Sequence, residues 1–97
     1  MSFLIIFHKK AELELLESFD WYSKRSVLAG EKFSIDISNG VDSIQLNPLL
    51  YPIVYGAKRR FNLNNFPFSI IYSIRKKTIF ILSVFHHSRN PKIWKHR

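Results

Sequence analysis

Apolar and polar positions follow different rhythms in different parts of this chain, and the rhythms mark its elements. Phe3-Leu4-Ile5-Ile6-Phe7 is a short unbroken apolar run, which predicts a strand. From Lys9 to Ser26 the apolar residues fall at Leu13, Leu16, Phe19 and Tyr22, with Leu15 and Trp21 widening the face. That spacing predicts an amphipathic helix with those residues turned inward. Glu12, Glu14 and Glu17 stand early on its polar side and Lys24 and Arg25 late, an order that suits the helix dipole.

The next segment supports two periods. Phe33-Ser34-Ile35-Asp36-Ile37-Ser38 alternates as a strand would, while Phe33, Ile37, Val41 and Ile44 repeat as a helix. The longer pattern predicts a helix from Val27 to Leu46. Gly30 and Gly40 each weaken it by about 1 kcal/mol relative to alanine, and Asn47-Pro48 ends it. Leu49 to Ile53, a short stretch with Pro48 before it and Pro52 within it, reads as an irregular connector.

Three strands are predicted beyond it. The first runs from Tyr55 to Leu63, and Asn62 to Pro67 then turns the chain. In the second, Phe68, Ile70, Tyr72 and Ile74 face one way and Ser69, Ser73 and Arg75 the other, as in a half-buried antiparallel strand. Arg75-Lys76-Lys77-Thr78 forms a tight charged turn into Thr78 to His87, so apolar that it should be central. Asn90-Pro91 places an N-capping residue before a proline suited to a first helical position, predicting a last helical turn from Pro91 to Arg97. The order is β-α-α-β-β-β.

Composition narrows the picture. With 97 residues, 46% of them hydrophobic, the chain suits a single domain, 1–97, with one core. It has no cysteine, which excludes a disulfide framework, a thiolate metal site and a cysteine nucleophile, and fits a reducing cytoplasm. The N-terminal run is too short to span a bilayer and lacks a signal peptide's basic leader, so no membrane partner is expected. Net charge is +8, unevenly spread: all seven acidic residues lie between Glu12 and Asp42, and Leu49 to Arg97 carries ten Lys or Arg and no acid. Such a half projects a positive field toward a polyanion or an acidic protein.

Candidate chemistry lies in that basic half. Adjacent residues of a strand point to opposite faces, so Lys58-Arg59-Arg60 sets Arg59 against Lys58 and Arg60. An arginine there can clamp a phosphate, although charge also protects an edge strand. In His86-His87-Ser88-Arg89 an imidazole can act as general acid or base and the arginine can neutralise phosphate. The candidate catalytic residues are therefore Arg59, Arg60, His86, His87 and Arg89. Lys58, Arg75, Lys76, Lys77, Lys92, Trp94 and Arg97 are the candidates for gripping a nucleic acid or other target. No metal is expected, because His86, His87 and His96 lack a matching spacing. The three glycines are scattered, leaving no phosphate loop or other sign of a cofactor.

Together these residues resemble a family. Trp21-Tyr22, Gly30, Phe33, Asn47-Pro48, Tyr51-Pro52, Arg59-Arg60, Phe66-Pro67-Phe68-Ser69-Ile70-Ile71-Tyr72 and the ending Val84-Phe85-His86-His87-Ser88-Arg89-Asn90-Pro91 with Trp94 and Arg97 resemble the RelE/ParE superfamily of toxins from bacterial type II toxin-antitoxin pairs. The resemblance implies an α+β fold, a helical hairpin packed on a twisted antiparallel sheet, and a cognate antitoxin that wraps the toxin, here with an acidic amphipathic segment. It implies mRNA cleavage on the ribosome, as in RelE-like members, or poisoning of DNA gyrase without chemistry, as in ParE-like members. Because phosphate-binding and titratable groups coexist in this chain, the expectation leans to ribosome-dependent mRNA cleavage, with a gyrase poison or a non-catalytic binding module regulated by its antitoxin as the alternatives. Carried across, Arg59 or Arg60 and Arg89 would take the basic positions and His86 or His87 the acid-base position. The chain departs from many relatives in having Asn64-Asn65 before Phe66-Pro67 where they carry basic residues, and in lacking a tyrosine after the histidines.

Overall fold

A computed structural model describes residues 3–97. Strand β1 (Leu4–Phe7) leads into helix α1 (Lys9–Arg25) and helix α2 (Val27–Leu46). Four strands follow, β2 (Ile53–Tyr55), β3 (Lys58–Asn62), β4 (Phe68–Arg75) and β5 (Thr78–His86), and the 3-10 turn Pro91–Trp94 comes last. The α+β class and the helical hairpin are as the sequence predicts.

One residue joins the two helices. Ser26 is extended, gives its N–H to Tyr22 O at 2.9 Å to close α1, and accepts from Ala29 N at 3.2 Å through Oγ to open α2. Both glycines of α2 are points of close approach. A Cβ on Gly30 would lie 3.1 Å from Ser23 Cα of α1, and one on Gly40 3.0 Å from Phe61 of β3. The loss in helix propensity is what lets α2 sit down on its neighbours.

The sheet order is β1-β5-β4-β3-β2. β5 lies between two neighbours, as its apolar run predicts. The sheet is mixed where the sequence suggested a purely antiparallel one: β1 pairs parallel with β5, Leu4 opposite Thr78, because the whole helical hairpin lies between them in the chain. The predicted strand Tyr55 to Leu63 is instead a hairpin. Gly56, at φ 57°, opens a two-residue loop between the paired residues Tyr55 and Lys58, the positive φ that such loops require. The turn at Lys76-Lys77 is as expected, with Arg75 opposite Thr78.

Two apolar clusters sandwich the sheet. On the helix side Ala11, Phe33, Ile37 and Ile44 pack on Phe68, Ile70, Tyr72, Ile79, Ile81 and Val84. On the other side Ile71, Leu82, Phe85 and Trp94 form a smaller cluster with Phe80 and Ile93. β4 is therefore buried on both faces from Phe68 to Tyr72, where half-burial was expected. The C-terminal turn provides the second cover.

The inward face of α1 also differs from expectation. Leu13 and Leu16 are each 57% exposed, and Phe19 and Trp21 are largely exposed too. Ala11 and Glu14 are the buried positions, with Leu15 and Tyr22 packed beside them. The helix is turned so that a carboxylate enters the interior, where it has strong partners. Glu14 Oε1 accepts from Ser83 Oγ at 2.8 Å, Val84 N at 3.1 Å and Arg97 Nη1 at 2.7 Å, and Oε2 accepts from Arg97 Nη2 at 3.1 Å. Leu82, the residue that β5 inserts opposite the Ile71/Tyr72 step, gives its carbonyl to the same guanidinium at 3.0 Å.

Candidate functional site

The end of β5 divides the candidate groups between the two faces of the sheet. His86 lies on the helix side, its ring edge-on to Phe68 at 4.9 Å. Its Nδ1 accepts from Ser88 N at 3.0 Å, so in the neutral ring the proton sits on Nε2. His86, Ser88 and Arg89 form the polar wall of a cleft of about 370 Å³, closed by Trp21, Tyr22, Phe68 and Val84 and by Glu14, Glu17 and Ser18 of α1. Arg89 is exposed there.

His87 takes the other face. It meets Ser69 Oγ through Nε2 at 2.8 Å, and the hydroxyl also accepts from Arg60 Nε at 2.9 Å and donates to Asn62 Oδ1 at 2.6 Å. Arg60 Nε gives a second hydrogen bond to Asn62 Oδ1 at 3.0 Å. Partial burial, then the positive charge of Arg60 and the neighbouring His86, lower the pKa of His87 below its ordinary 6.5. The Arg60 guanidinium beside the ring thus disfavours its charged form.

The remaining candidates fare differently. Arg59 points to the helix side and donates to Leu49 O at 3.2 Å and Tyr51 O at 2.7 Å, which makes it a clamp on the connector. Tyr72 helps, donating from its hydroxyl to Pro48 O at 2.6 Å; burial pushes its pKa up to about 12, with Arg59 acting in the opposite sense. Lys58 and Lys95 stand over Tyr55 at 5.6 and 4.9 Å from the ring centroid. Arg75, Lys76 and Lys77 lie at the far end of β4 and β5, about 23 Å from His86 at the usual strand rise. Lys92 is exposed on the C-terminal turn.

Two candidates need correction. Trp94 is only 3% exposed and packs edge-on to Phe85 at 6.1 Å, so it is not available to stack on a base. Arg97 is turned inward by Glu14, and a guanidinium held at both nitrogens by a buried carboxylate does not reach a target. Among the described residues, no group of His, Asp or Glu side chains is placed to hold a metal, and no helix is long and apolar enough to cross a membrane.

Sequence reasoning missed Ser69 and Asn62, which organise the His87 face, and Glu14, which reads as a surface residue until Arg97 is placed. It also missed Asp36. This buried carboxylate on α2 accepts from Asn65 N at 3.0 Å and Asn65 Nδ2 at 3.4 Å. Asn65 thus ties the β3–β4 loop down to α2.

Comparison with known proteins gives a consistent answer. A chain described as "Chromosomal ParDE TA system from P. aeruginosa" superposes with a TM-score of 0.71 at 23% identity, over 87% of this chain and 95% of that one, a likeness of fold. A comparison with curated protein sequences found no match. The family model for the ParE toxin of the type II toxin-antitoxin system parDE matches residues 5–91. With nearly the whole chain accounted for in this way, it belongs to the ParE toxin family.

Proposed function

We propose that this chain is the growth-inhibiting member of a toxin-antitoxin pair and acts in the cytoplasm by capturing DNA gyrase, without chemistry of its own. The observation that carries this reading is the division of the titratable and cationic groups. General acid-base cleavage needs its groups within hydrogen-bond reach of one reacting centre. Here Arg89 and His86 open on the helix-side cleft, Arg60 and His87 on the opposite face, and Arg59 is spent on backbone carbonyls. A basic, shaped surface with its groups spread apart suits binding a macromolecule better than cleaving one.

The partner that silences it is a cognate antitoxin whose acidic amphipathic segment covers the basic half. An adjacent reading frame encoding such a segment is expected beside this gene, and the association should weaken with salt.

Incubation of the purified chain with DNA gyrase and supercoiled plasmid tests the reading. Protein-linked DNA breaks that appear only with both proteins present are the expected result. New 5′ ends inside codons of mRNA, mapped by primer extension during induced expression, would overturn it. They would favour the second reading, ribosome-dependent mRNA cleavage, which has one observation behind it: Arg60 and His87 do meet through Ser69. His87→Ala should then abolish the cuts.

A further inference from the structure

The longest uncharged stretch of the chain runs from Ser43 to Ala57, fifteen residues between Asp42 and Lys58. Leu46, Leu49, Leu50, Ile53, Val54 and Tyr55 within it are 40–79% exposed. In a chain of net charge +8 this is an unusual place to find both no charge and so much apolar surface. The segment is also rigidly presented. Arg59 holds the carbonyls of Leu49 and Tyr51, Tyr72 holds that of Pro48, and the Tyr51 ring packs on Phe61 at 4.8 Å. Two buried or half-buried polar side chains are committed to keeping Leu49 and Leu50 facing out.

β2 lies in this stretch and is an edge strand, paired with β3 on one side and, among the described residues, with no strand on the other. It carries none of the charges that usually protect an edge. β1, the opposite edge, is apolar as well, but Lys9 and Lys10 follow it after His8, and the Lys76-Lys77 turn lies beside its start, where Leu4 N donates to Lys77 O at 2.9 Å. An antiparallel pairing of two β1 strands would therefore bring cations together at both ends of the pair, whereas at β2 the strand itself is uncharged and the nearest cations, Lys58 and Lys95, stand over the Tyr55 ring on one face of the sheet.

We propose that the β2 edge is where two copies of this chain associate. β2 pairs antiparallel with its counterpart about a two-fold axis through Val54, and Leu49, Leu50 and Ile53 pack across it. The occupant follows from charge and symmetry. Two strongly basic copies repel except where neither carries charge, and an antiparallel strand pair is self-complementary, satisfying the open backbone groups of both edges at once. A two-fold axis that makes strands antiparallel within one sheet runs perpendicular to that sheet, so it leaves each face on its own side. The dimer would have one continuous sheet, both helical hairpins on one side, and two copies of the Lys58, Arg60, His87 and Lys95 surface together on the other.

This inference stands apart from the gyrase reading and is tested separately. The full chain, made by cell-free synthesis and freed of nucleic acid, is examined by light scattering at tens of micromolar. A mass of 23 kDa, twice the 11.5 kDa of one chain, is expected. The dimer fraction should rise from about 0.05 to 0.5 M salt, because screening removes the repulsion of like charges. Val54→Lys should return the mass to 11.5 kDa with its far-ultraviolet circular dichroism unchanged. Since the chain has no cysteine, Val54→Cys should cross-link on mild oxidation and Ile6→Cys should not. A wild-type mass of 11.5 kDa at every concentration would overturn the proposal. So would a dimer that dissolves in salt, one that survives Val54→Lys, or equal cross-linking from both cysteines.

Discussion

Glu14 and Arg97 show how much one pair can decide. Both side chains are about nine-tenths buried, so removing one partner strands a charge in the interior. Arg97→Ala should cost about 3–5 kcal/mol, read as a fall in the urea midpoint at unchanged slope. The double change Glu14→Met with Arg97→Met should recover most of that loss, since a buried ion pair replaced whole by apolar groups is close to neutral. His87 makes a pH prediction. Its folded-state pKa is lowered, so the unfolded chain takes up this proton more readily. The ring's contribution to stability is then fully present above about pH 6.5 and lost as pH falls through the lower folded value. His87→Gln should flatten the stability profile below pH 6.5. Under either reading of toxicity, Arg89→Ala should abolish growth inhibition at equal expression and with the fold intact, since its side chain is exposed.

At the scale of elements, the close approach at Gly30 opposes the helix propensity of alanine. Gly30→Ala gains about 1 kcal/mol of propensity, but its Cβ meets backbone of α1, and overpacking costs about 1–3 kcal/mol. Thermal unfolding should show net destabilisation. Leu16→Gln, at a position the helical spacing assigns to the core, should change stability by no more than about 0.5 kcal/mol, because that leucine is exposed. This contrast shows where the sequence is legible. The elements follow from periodicity, from the stop at Asn47-Pro48 and from the capping signal at Asn90-Pro91, all local. The rotation of α1 does not, because it is set by Arg97, eighty-three residues downstream of Glu14. The parallel pairing of β1 and the split at Gly56 escaped for related reasons, one being a long-range pairing and the other a turn without the usual Asn-Gly or Asp-Gly signature. At the site, alternation correctly sends His86 and His87 to opposite faces. Whether Arg59 or Arg60 joins a histidine depends on register: Arg59 opposite Tyr72 lies helix-side, and Asn62 opposite Ser69 places the Arg60 side with His87.

Across the whole molecule, charge is layered. All seven acidic residues lie on the helical hairpin, and the strands and C-terminal turn beyond Leu49 carry ten cations. Binding to an acidic partner through that basic side should therefore weaken steeply as the screening length shortens from about 10 Å at 0.1 M salt to about 3 Å at 1 M. Retention on a heparin column checks this: Lys58→Gln with Arg60→Gln should elute earlier than wild type, whereas Leu13→Gln should not. Self-association at β2 is expected to respond to salt in the opposite sense, so one titration separates the two kinds of contact.

The parallel pairing of β1 with β5 has a consequence for the order in which the protein comes into being. Leu4 waits for Thr78, and no earlier segment offers β1 a strand partner. A chain emerging from the ribosome can form its helical hairpin early, but β5, the central strand, is made after every other strand of the sheet. The completed surface, and with it any harm to the cell that made it, should come only once β5 has been made. A truncation before residue 78 is expected to be inert and poorly folded even though all three cationic residues of β3 are present.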